Sequence, residues 1–296
     1  MENRKGWRLA IAAPRGAAKS TIKSLIYPLH AMLYQREKYI IILSATLKQA
    51  GQRLKNITDE ILTNQRLQRY YPAAFEGKRK ITRQSILFNE CLLEIYSAGT
   101  EIRGISFRQW RPSLIILDDI EDSRVAHSIE RRDRLWEWNN EVIENLGDSY
   151  TAIEIVGTIL HPDSLLSRLI RRPDYHGRVF KSIERFADNQ ALWDQWKQIY
   201  TRLEDPDRVE TARRFFNKNR DDMLRGARVS WHGRYDYYEL MCQLVQKGRA
   251  AFFKELQNEP GSAEDAFFDM HRIQKFRLEG SGIKMLPGKE YNNDIA

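Results

Sequence analysis

Two widely separated groups of residues have the types and spacing needed for phosphate chemistry. The first is a loop of small residues that ends in Lys-Ser-Thr. In such a loop the backbone N–H groups come close to phosphates, a lysine neutralises the terminal phosphates, and a serine hydroxyl is a ligand for Mg²⁺. We therefore predict an ATP site with Mg²⁺ on Ser20, built from Ala13, Pro14, Arg15, Gly16, Ala17, Ala18, Lys19, Ser20 and Thr21.

The surroundings of this loop support the prediction, although its composition departs from the usual pattern. The apolar run Arg8–Ala12 precedes the loop and predicts a buried strand, and apolar residues at helical spacing follow Thr21. The phosphate-loop pattern G-x-x-x-x-G-K-[ST] has glycine where Ala13 and Ala18 stand here, and alanine resists a positive φ. The alternative is an ordinary turn between strand and helix with an incidental lysine.

The second group is a set of acidic residues at the end of another apolar run. Ser113–Leu117 predicts a buried strand, and Asp-Asp-Ile-Glu-Asp follows it directly. We predict that Asp118 holds Mg²⁺ together with Ser20. A neighbouring carboxylate would orient the attacking water, with Asp119 as the first candidate and Glu121 as the second. The alternative is a strand that ends in a solvated acidic turn.

Transfer of a phosphoryl group also needs a cation for the charge that develops on it. Arg15 lies inside the loop and can act within the same subunit. Arg103 lies in a second loop of small residues and could reach the nucleotide of a neighbouring subunit. Arg108 and Arg111 are rivals for that role, and each of these arginines could instead be solvated.

The order of apolar runs predicts the fold and its division. Strands alternate with helices up to residue 183, which predicts an α/β fold with a mostly parallel sheet flanked by helices. Together with the phosphate loop and the acidic strand end, this fold resembles that of an ASCE/RecA-like P-loop NTPase. Ligands of such sheets bind at the carboxyl ends of the strands. We predict a P-loop core at 1–183, a small helical subdomain at 184–262 and a tail at 263–296. Within the core we predict a hairpin turning at Asn89 and Glu90, a loop at 66–83 and a last strand at 178–183.

Composition narrows the class of partner. The chain has 296 residues, a net charge of +8 and a pI of about 9.4, which favours a polyanionic partner such as nucleic acid. The alternative is that the charge simply keeps the chain soluble. No apolar run approaches the roughly 18 residues that a membrane span needs, so we predict no membrane partner. The six histidines and two cysteines lack the spacing of a metal site.

Taken together, five stretches resemble the ATPase part of the large terminase subunit of tailed bacteriophages. These stretches are Ala13–Ser20, Ile42–Thr46 with Gln49 and Ala50, Ile102–Gly104 with Arg111–Asp122, Val156–His161, and Phe252–Pro260. They span residues 8–260, and their combination and order are more specific than any one of them. The family usually has Asp-Glu where Asp118 and Asp119 stand, so the choice between Asp119 and Glu121 stays open.

The resemblance implies an ATPase that assembles as a homo-oligomeric ring on the portal protein, works with the small terminase subunit, and moves double-stranded DNA into a procapsid in the cytoplasm of a bacterial host. It also implies that Gly157 and Thr158 couple hydrolysis to movement and that Arg103 acts on a neighbour's nucleotide. The family's C-terminal nuclease would begin near Gly282, and the sequence has 296 residues, so we expect no nuclease activity from this chain. Residues 263–296 would then be a tail or the truncated start of that domain. The alternatives are a helicase-like DNA-remodelling ATPase and a nucleotide-gated DNA-binding module without turnover.

Overall fold

A computed structural model describes residues 6–261, 276–279 and 282–285. Its central element is an eight-stranded sheet in the order β3-β4-β5-β2-β6-β7-β1-β8. The strands of this sheet are β1 (Arg8–Ala12), β2 (Tyr39–Ser44), β3 (Lys80–Ile81), β4 (Ser85–Phe88), β5 (Cys91–Ser97), β6 (Leu114–Asp118), β7 (Ala152–Gly157) and β8 (His176–Val179). All pairings from β5 to β8 in this order are parallel, and β3 and β4 are antiparallel at one edge. The predicted mostly parallel sheet is confirmed.

The centre of the sheet determines where the predicted site residues lie. Strand β1 leads into the loop that contains Lys19, and β6 ends in Asp118. Strand β7 lies between them and is parallel to both. One strand therefore separates the strand before the loop from the strand that ends in Asp118. Because the three strands are parallel, their carboxyl ends meet at one edge of the sheet.

Helices cover both faces of the sheet, which explains why the central strands β2, β6 and β7 are buried at every position. They are α1 (Lys19–Thr21), α2 (Tyr27–Leu33) after a π-helical turn at Ile22–Ile26, α3 (Leu47–Thr63), α4 (Gln65–Tyr70), α5 (Pro72–Glu76), α6 (Ser123–Ala126), α7 (Ile129–Trp138) with a π-helical continuation at Asn139–Ile143, and α8 (Leu165–Arg171). In β2, Ile40 and Ile42 belong to one core cluster and Ile41 and Leu43 to another. This alternation places one hydrophobic core on each face.

Two predictions within this region are wrong and one is confirmed. Residues 66–83 contain α4, α5 and β3 instead of a loop, because the Asn64 side chain caps α4 and Pro72 begins α5, where proline is tolerated. The last strand lies at His176–Val179 rather than at 178–183, since these residues pair with β1. The hairpin is confirmed, and Asn89 and Glu90 both have positive φ.

The chain beyond residue 183 adds a third core cluster. It contains the antiparallel pair β9 (Ile183–Arg185) and β10 (Arg228–Val229) and the helices α9 (Gln190–Tyr200), α10 (Arg208–Lys218), α11 (Arg220–Leu224), α12 (Tyr237–Lys247) and α13 (Arg249–Gln257). Trp193, Trp196 and Tyr238 are buried against one another, so these rings pack the core rather than stack on bases. No helix in the described part of the chain is long and apolar enough to cross a membrane.

The chain divides into two compact units, Met1–Pro260 and Gly261–Ala296. In the second unit the structure describes an antiparallel pair, β11 (Phe276–Glu279) and β12 (Gly282–Met285). The rest of the predicted tail at 263–296 lies outside the described residues. The division of the first unit into a core at 1–183 and a helical subdomain at 184–262 stays a prediction.

Two glycines give a test of the packing around the sheet. A Cβ added at Gly51 in α3 would lie 4.0 Å from Ile95 Cδ1, an ordinary contact, whereas one at Gly177 in β8 would lie 2.5 Å from the backbone oxygen of Ile170 in α8. We expect Gly51→Ala to raise the free energy of unfolding by about 0.5–1 kcal/mol, because alanine is the better helix former. We expect Gly177→Ala to lower it. Urea unfolding monitored by tryptophan fluorescence measures both, and equal shifts in one direction would contradict the packing.

Candidate functional site

A cavity of about 530 Å³ opens at the carboxyl ends of β1, β6 and β7. Its lining comes from the loop after β1, the acidic turn after β6, the end of β7 and α13. The sequence predictions that meet there are Arg15, Gly16, Ala18, Lys19, Ser20, Thr21, Asp119, Glu121, Gly157 and Thr158. Residues from distant parts of the sequence thus converge on one cavity at the edge where a parallel sheet binds its ligands.

The loop between β1 and α1 is held at both ends. The Ala13 N–H donates to the Gly157 carbonyl oxygen at 2.9 Å, and the Ala17 N–H donates to the Pro14 carbonyl oxygen at 3.1 Å. Gly16 has a φ of 82° and Ala18 a φ of 54°. Alanine therefore adopts here the left-handed conformation that the usual glycine adopts more easily. Helix α1 begins directly after Ala18, so its first N–H groups lack intrahelical acceptors and favour an anion.

Lys19 lies across the cavity floor with a side chain that is only 9% exposed. Its Nζ donates to Thr158 Oγ1 at 2.9 Å and lies 3.7 Å from Asp119 Oδ1. Thr158 Oγ1 in turn donates to the Ala13 carbonyl oxygen at 3.3 Å. The lysine of the loop is thereby connected directly to the end of β7.

Ser20 and Asp118 form the pair that the sequence predicts as metal ligands. Ser20 Oγ donates to Asp118 Oδ1 at 2.8 Å, and Asp118 has no solvent exposure. Asp118 Oδ2 is also buried and accepts no hydrogen bond. A hydroxyl beside a carboxylate is the kind of oxygen donor set that Mg²⁺ prefers. The residues present therefore fit a Mg²⁺ ion bound next to a nucleotide.

Arg53 in α3 contacts this pair, and the sequence reasoning missed it. Its Nε lies 2.7 Å from Asp118 Oδ2 without hydrogen-bond alignment, and its Nη2 donates to Ser20 Oγ at 3.1 Å. A capping box formed by Thr46 and Gln49 begins α3 directly after β2, the strand beside β6. An arginine near the start of that helix was the available signal.

The two candidate carboxylates differ in what holds them. Asp119 has a φ of 48°, its N–H donates to the Val156 carbonyl oxygen at 2.9 Å, and its side chain is 40% exposed. Partial burial raises the pKa of Asp119, and the Lys19 charge opposes that shift. The carboxylate is thus near the lysine and open to a water molecule.

Glu121 is committed to the start of α8. Its Oε1 accepts the N–H of Leu165 at 2.8 Å and its Oε2 accepts the N–H of Leu166 at 3.2 Å. Burial raises the pKa of Glu121, and these two hydrogen bonds oppose the shift. Both oxygens therefore satisfy N–H groups that a helix start leaves without intrahelical acceptors.

Arg15 connects the loop to α13. Its side chain forms an ion pair with Glu255, and its backbone N–H donates to the Glu255 carbonyl oxygen at 2.9 Å. The hydrogen bond to Glu255 raises the pKa of Arg15. The guanidinium is at the mouth of the cavity, but in this structure it neutralises a carboxylate rather than facing Lys19.

The structure does not bring Arg103 into this cavity. Its side chain is 66% exposed and lies 3.4 Å from Glu101, and it lines a different cavity together with Arg111. The rival Arg108 forms an ion pair with Glu90 at 2.6 Å, and Arg111 donates to the Ile105 carbonyl oxygen at 3.2 Å. An exposed Arg103 is compatible with a role on a neighbouring subunit, which stays a prediction.

No protein-family model matches the chain, and no curated protein matches it. The solved structures similar to it include phage DNA-packaging proteins. The HK97 bacteriophage large terminase is 15% identical with a TM-score of 0.41, and the match covers 76% of this chain and 47% of that one. The ATPase domain of the Thermus phage P74-26 large terminase is 15% identical with a TM-score of 0.39, covering 87% and 90%.

The N-terminal domain of the DNA-packaging ATPase from bacteriophage phi29 is a further similar structure, at 11% identity with a TM-score of 0.34, covering 52% of this chain and 77% of that one. The chain spans about half the length of the HK97 large terminase. Because these identities and TM-scores are low, the function is inferred from the residues of the site.

Proposed function

We propose that this chain is the ATPase part of a motor that packages viral double-stranded DNA. The observation that carries the proposal is the convergence of Lys19, Ser20 and Asp119 in one cavity, with the buried Asp118 hydrogen-bonded to Ser20, at the carboxyl ends of three neighbouring strands. A cationic group for phosphates, a donor set for Mg²⁺ and a partly exposed carboxylate are the parts that phosphoryl transfer to water needs.

The phosphates would bind against the loop. Their negative charge is favoured by the first N–H groups of α1 and by Lys19, which exchanges its hydrogen bond to Thr158 for one to a phosphate oxygen. Ser20 and Asp118 would hold Mg²⁺, which when bound offsets the charge on the phosphate oxygens. Release of Thr158 by Lys19 alters the end of β7, and we assign the coupling role of Gly157 and Thr158 to this exchange.

Asp119 would orient the attacking water and accept its proton. Its side chain is partly exposed in the cavity and lies near Lys19, whereas both oxygens of Glu121 are occupied by the start of α8. An upward shift in the pKa of Asp119 brings the carboxylate closer to the proton affinity that a general base needs. We therefore assign the catalytic role to Asp119 and a positioning role to Glu121.

The proposals of a ring assembly and of DNA as a partner rest on the resemblance of the motifs and on the net charge of the chain. Arg103 would reach the nucleotide of a neighbouring subunit in a ring, where a cation stabilises the charge that develops in the transition state. Arg15 would supply a second cation after leaving Glu255. A net charge of +8 favours a polyanionic partner, for which we propose double-stranded DNA, with the portal protein and small terminase subunit as docking partners.

Steady-state ATPase assays with and without linear double-stranded DNA test the central proposal. We expect Lys19→Ala to lower turnover about 10²–10³-fold, because an interaction that stabilises the transferred charge is lost. Lys55→Ala removes an exposed lysine that pairs with Asp59 and is the matched control. Binding of nucleotide by the wild type without turnover would favour the nucleotide-gated module instead.

The choice between the two carboxylates has a direct test. Asparagine accepts the positive φ of residue 119, so Asp119→Asn removes the charge without backbone strain, and we expect a loss of about 10²-fold or more in turnover. Glu121→Gln keeps one acceptor for the start of α8 and should mainly lower the free energy of unfolding, by about 1–2 kcal/mol. Activity per folded molecule and urea unfolding separate the effects. The reverse pattern would make Glu121 the catalytic carboxylate.

The role of Arg103 between subunits is tested by mixing variants. Arg103→Ala keeps a complete nucleotide site, and Lys19→Ala keeps the arginine. We expect each to be inactive alone and the assembled mixture to regain part of the turnover, because an intact site then meets an intact arginine. Size-exclusion chromatography with light scattering establishes the assembly. A mixture that assembles and stays inactive would mean that Arg103 does not act on the neighbouring site.

A further inference from the structure

Arg53 contacts both predicted metal ligands and has no role in the proposed function so far. Its Nε lies 2.7 Å from Asp118 Oδ2, and its Nη2 donates to Ser20 Oγ at 3.1 Å. Ser20 Oγ donates to Asp118 Oδ1 at 2.8 Å. The three side chains thus form a closed ring of polar contacts in which each member touches the other two.

Burial makes this ring necessary. Asp118 has no solvent exposure, and a buried carboxylate without a nearby cation is strongly unfavourable. Lys19 does not serve it, since its Nζ hydrogen-bonds Thr158 and lies beside Asp119. Arg53 is 24% exposed at its side chain and supplies the positive charge in contact with Asp118 Oδ2.

The ring leaves the cavity side of Ser20 open. Gln49, one helical turn before Arg53 in α3, lines the cavity. Among the residues that the structure describes, Arg53 is not part of that lining. A serine hydroxyl has one proton and two lone pairs. The proton goes to Asp118 and one lone pair accepts from Arg53, so one lone pair remains for a ligand.

We propose that Arg53 is a positioning residue for the divalent cation, an inference that rests on the proposed function. Its guanidinium holds the Asp118 carboxylate and the Ser20 hydroxyl in the orientation in which they receive the cation that accompanies the nucleotide. A planar guanidinium offers several N–H donors in a fixed geometry, so it can hold two oxygen atoms at once. The ammonium of a lysine would supply the charge without that geometry.

The test is the affinity for Mn²⁺ at saturating non-hydrolysable ATP analogue, measured by electron paramagnetic resonance of the free ion. We expect Arg53→Met to weaken Mn²⁺ binding about 10–100-fold, the usual effect of losing a group that orients metal ligands. Arg53→Lys should lie between Arg53→Met and the wild type. Binding of a fluorescent nucleotide in EDTA should be unchanged in both. Lys55→Met removes an exposed charge from the same helix and should leave Mn²⁺ binding unchanged.

A double-mutant cycle distinguishes positioning from mere packing. In an Asp118→Asn background the arginine has no carboxylate charge to hold, so Arg53→Met should add little further loss of Mn²⁺ affinity. If Arg53→Met does not fold, Arg53→Lys must still bind Mn²⁺ more weakly than the wild type. Equal affinity in folded Arg53 variants would reduce the contact to a structural ion pair, and tighter binding would mean that Arg53 competes with the cation. Either result overturns the inference alone, whereas a wild type that binds no metal-nucleotide complex overturns the proposed function with it.

Discussion

The burial of one carboxylate at the end of β6 is the constraint on which the site depends. Asp118 has no solvent exposure, and an ionised group in that position needs a cation and a hydrogen-bond donor close to it. Ser20 at the start of α1 is the donor and Arg53 of α3 is the cation. The requirement therefore brings the start of α1 and the N-terminal half of α3 to the same edge of the sheet, where the Ser20 hydroxyl donates to Asp118 and Ser20 still lines the cavity.

At the same edge of the sheet, each of the two cations lies beside a different carboxylate. Arg53 pairs with Asp118, whereas Lys19 lies beside Asp119 and hydrogen-bonds Thr158. Strand β7 contributes to this arrangement, because it lies between β1 and β6 and is followed by Thr158, which accepts a hydrogen bond from Lys19. If β1 paired directly with β6, no residue at the end of β7 could accept the hydrogen bond of Lys19, and a movement of the lysine would not affect that strand.

The sequence predicts the position of a residue in the site when that residue lies next to the end of a recognisable strand. Lys19 and Ser20 stand at the end of the loop that follows one apolar strand, and Asp118 ends another, so their meeting at one edge follows from a parallel sheet. Arg53 was not predicted, because the packing of α3 against the sheet determines whether an arginine on that helix faces the site. The hydrogen bonds of Glu121 to the start of α8 could not be predicted either, since they depend on where α8 begins, 44 positions later in the chain.

The carboxyl end of α13 gives the proposed coupling a physical route. Asn258 follows that helix, and its side chain accepts the Ile159 N–H at 2.9 Å and donates to the Phe180 carbonyl oxygen at 2.8 Å. Ile159 is the residue after Thr158, and Phe180 directly follows β8. Thr158 is therefore one peptide bond away from the residue that hydrogen-bonds the end of α13, and a change at Thr158 when Lys19 moves to a phosphate would reach that hydrogen bond directly. Arg15 and Glu255 connect the same helix to the loop, so the loop and the end of β7, which line the cavity from two sides, are both linked to α13 at the end of the first compact unit.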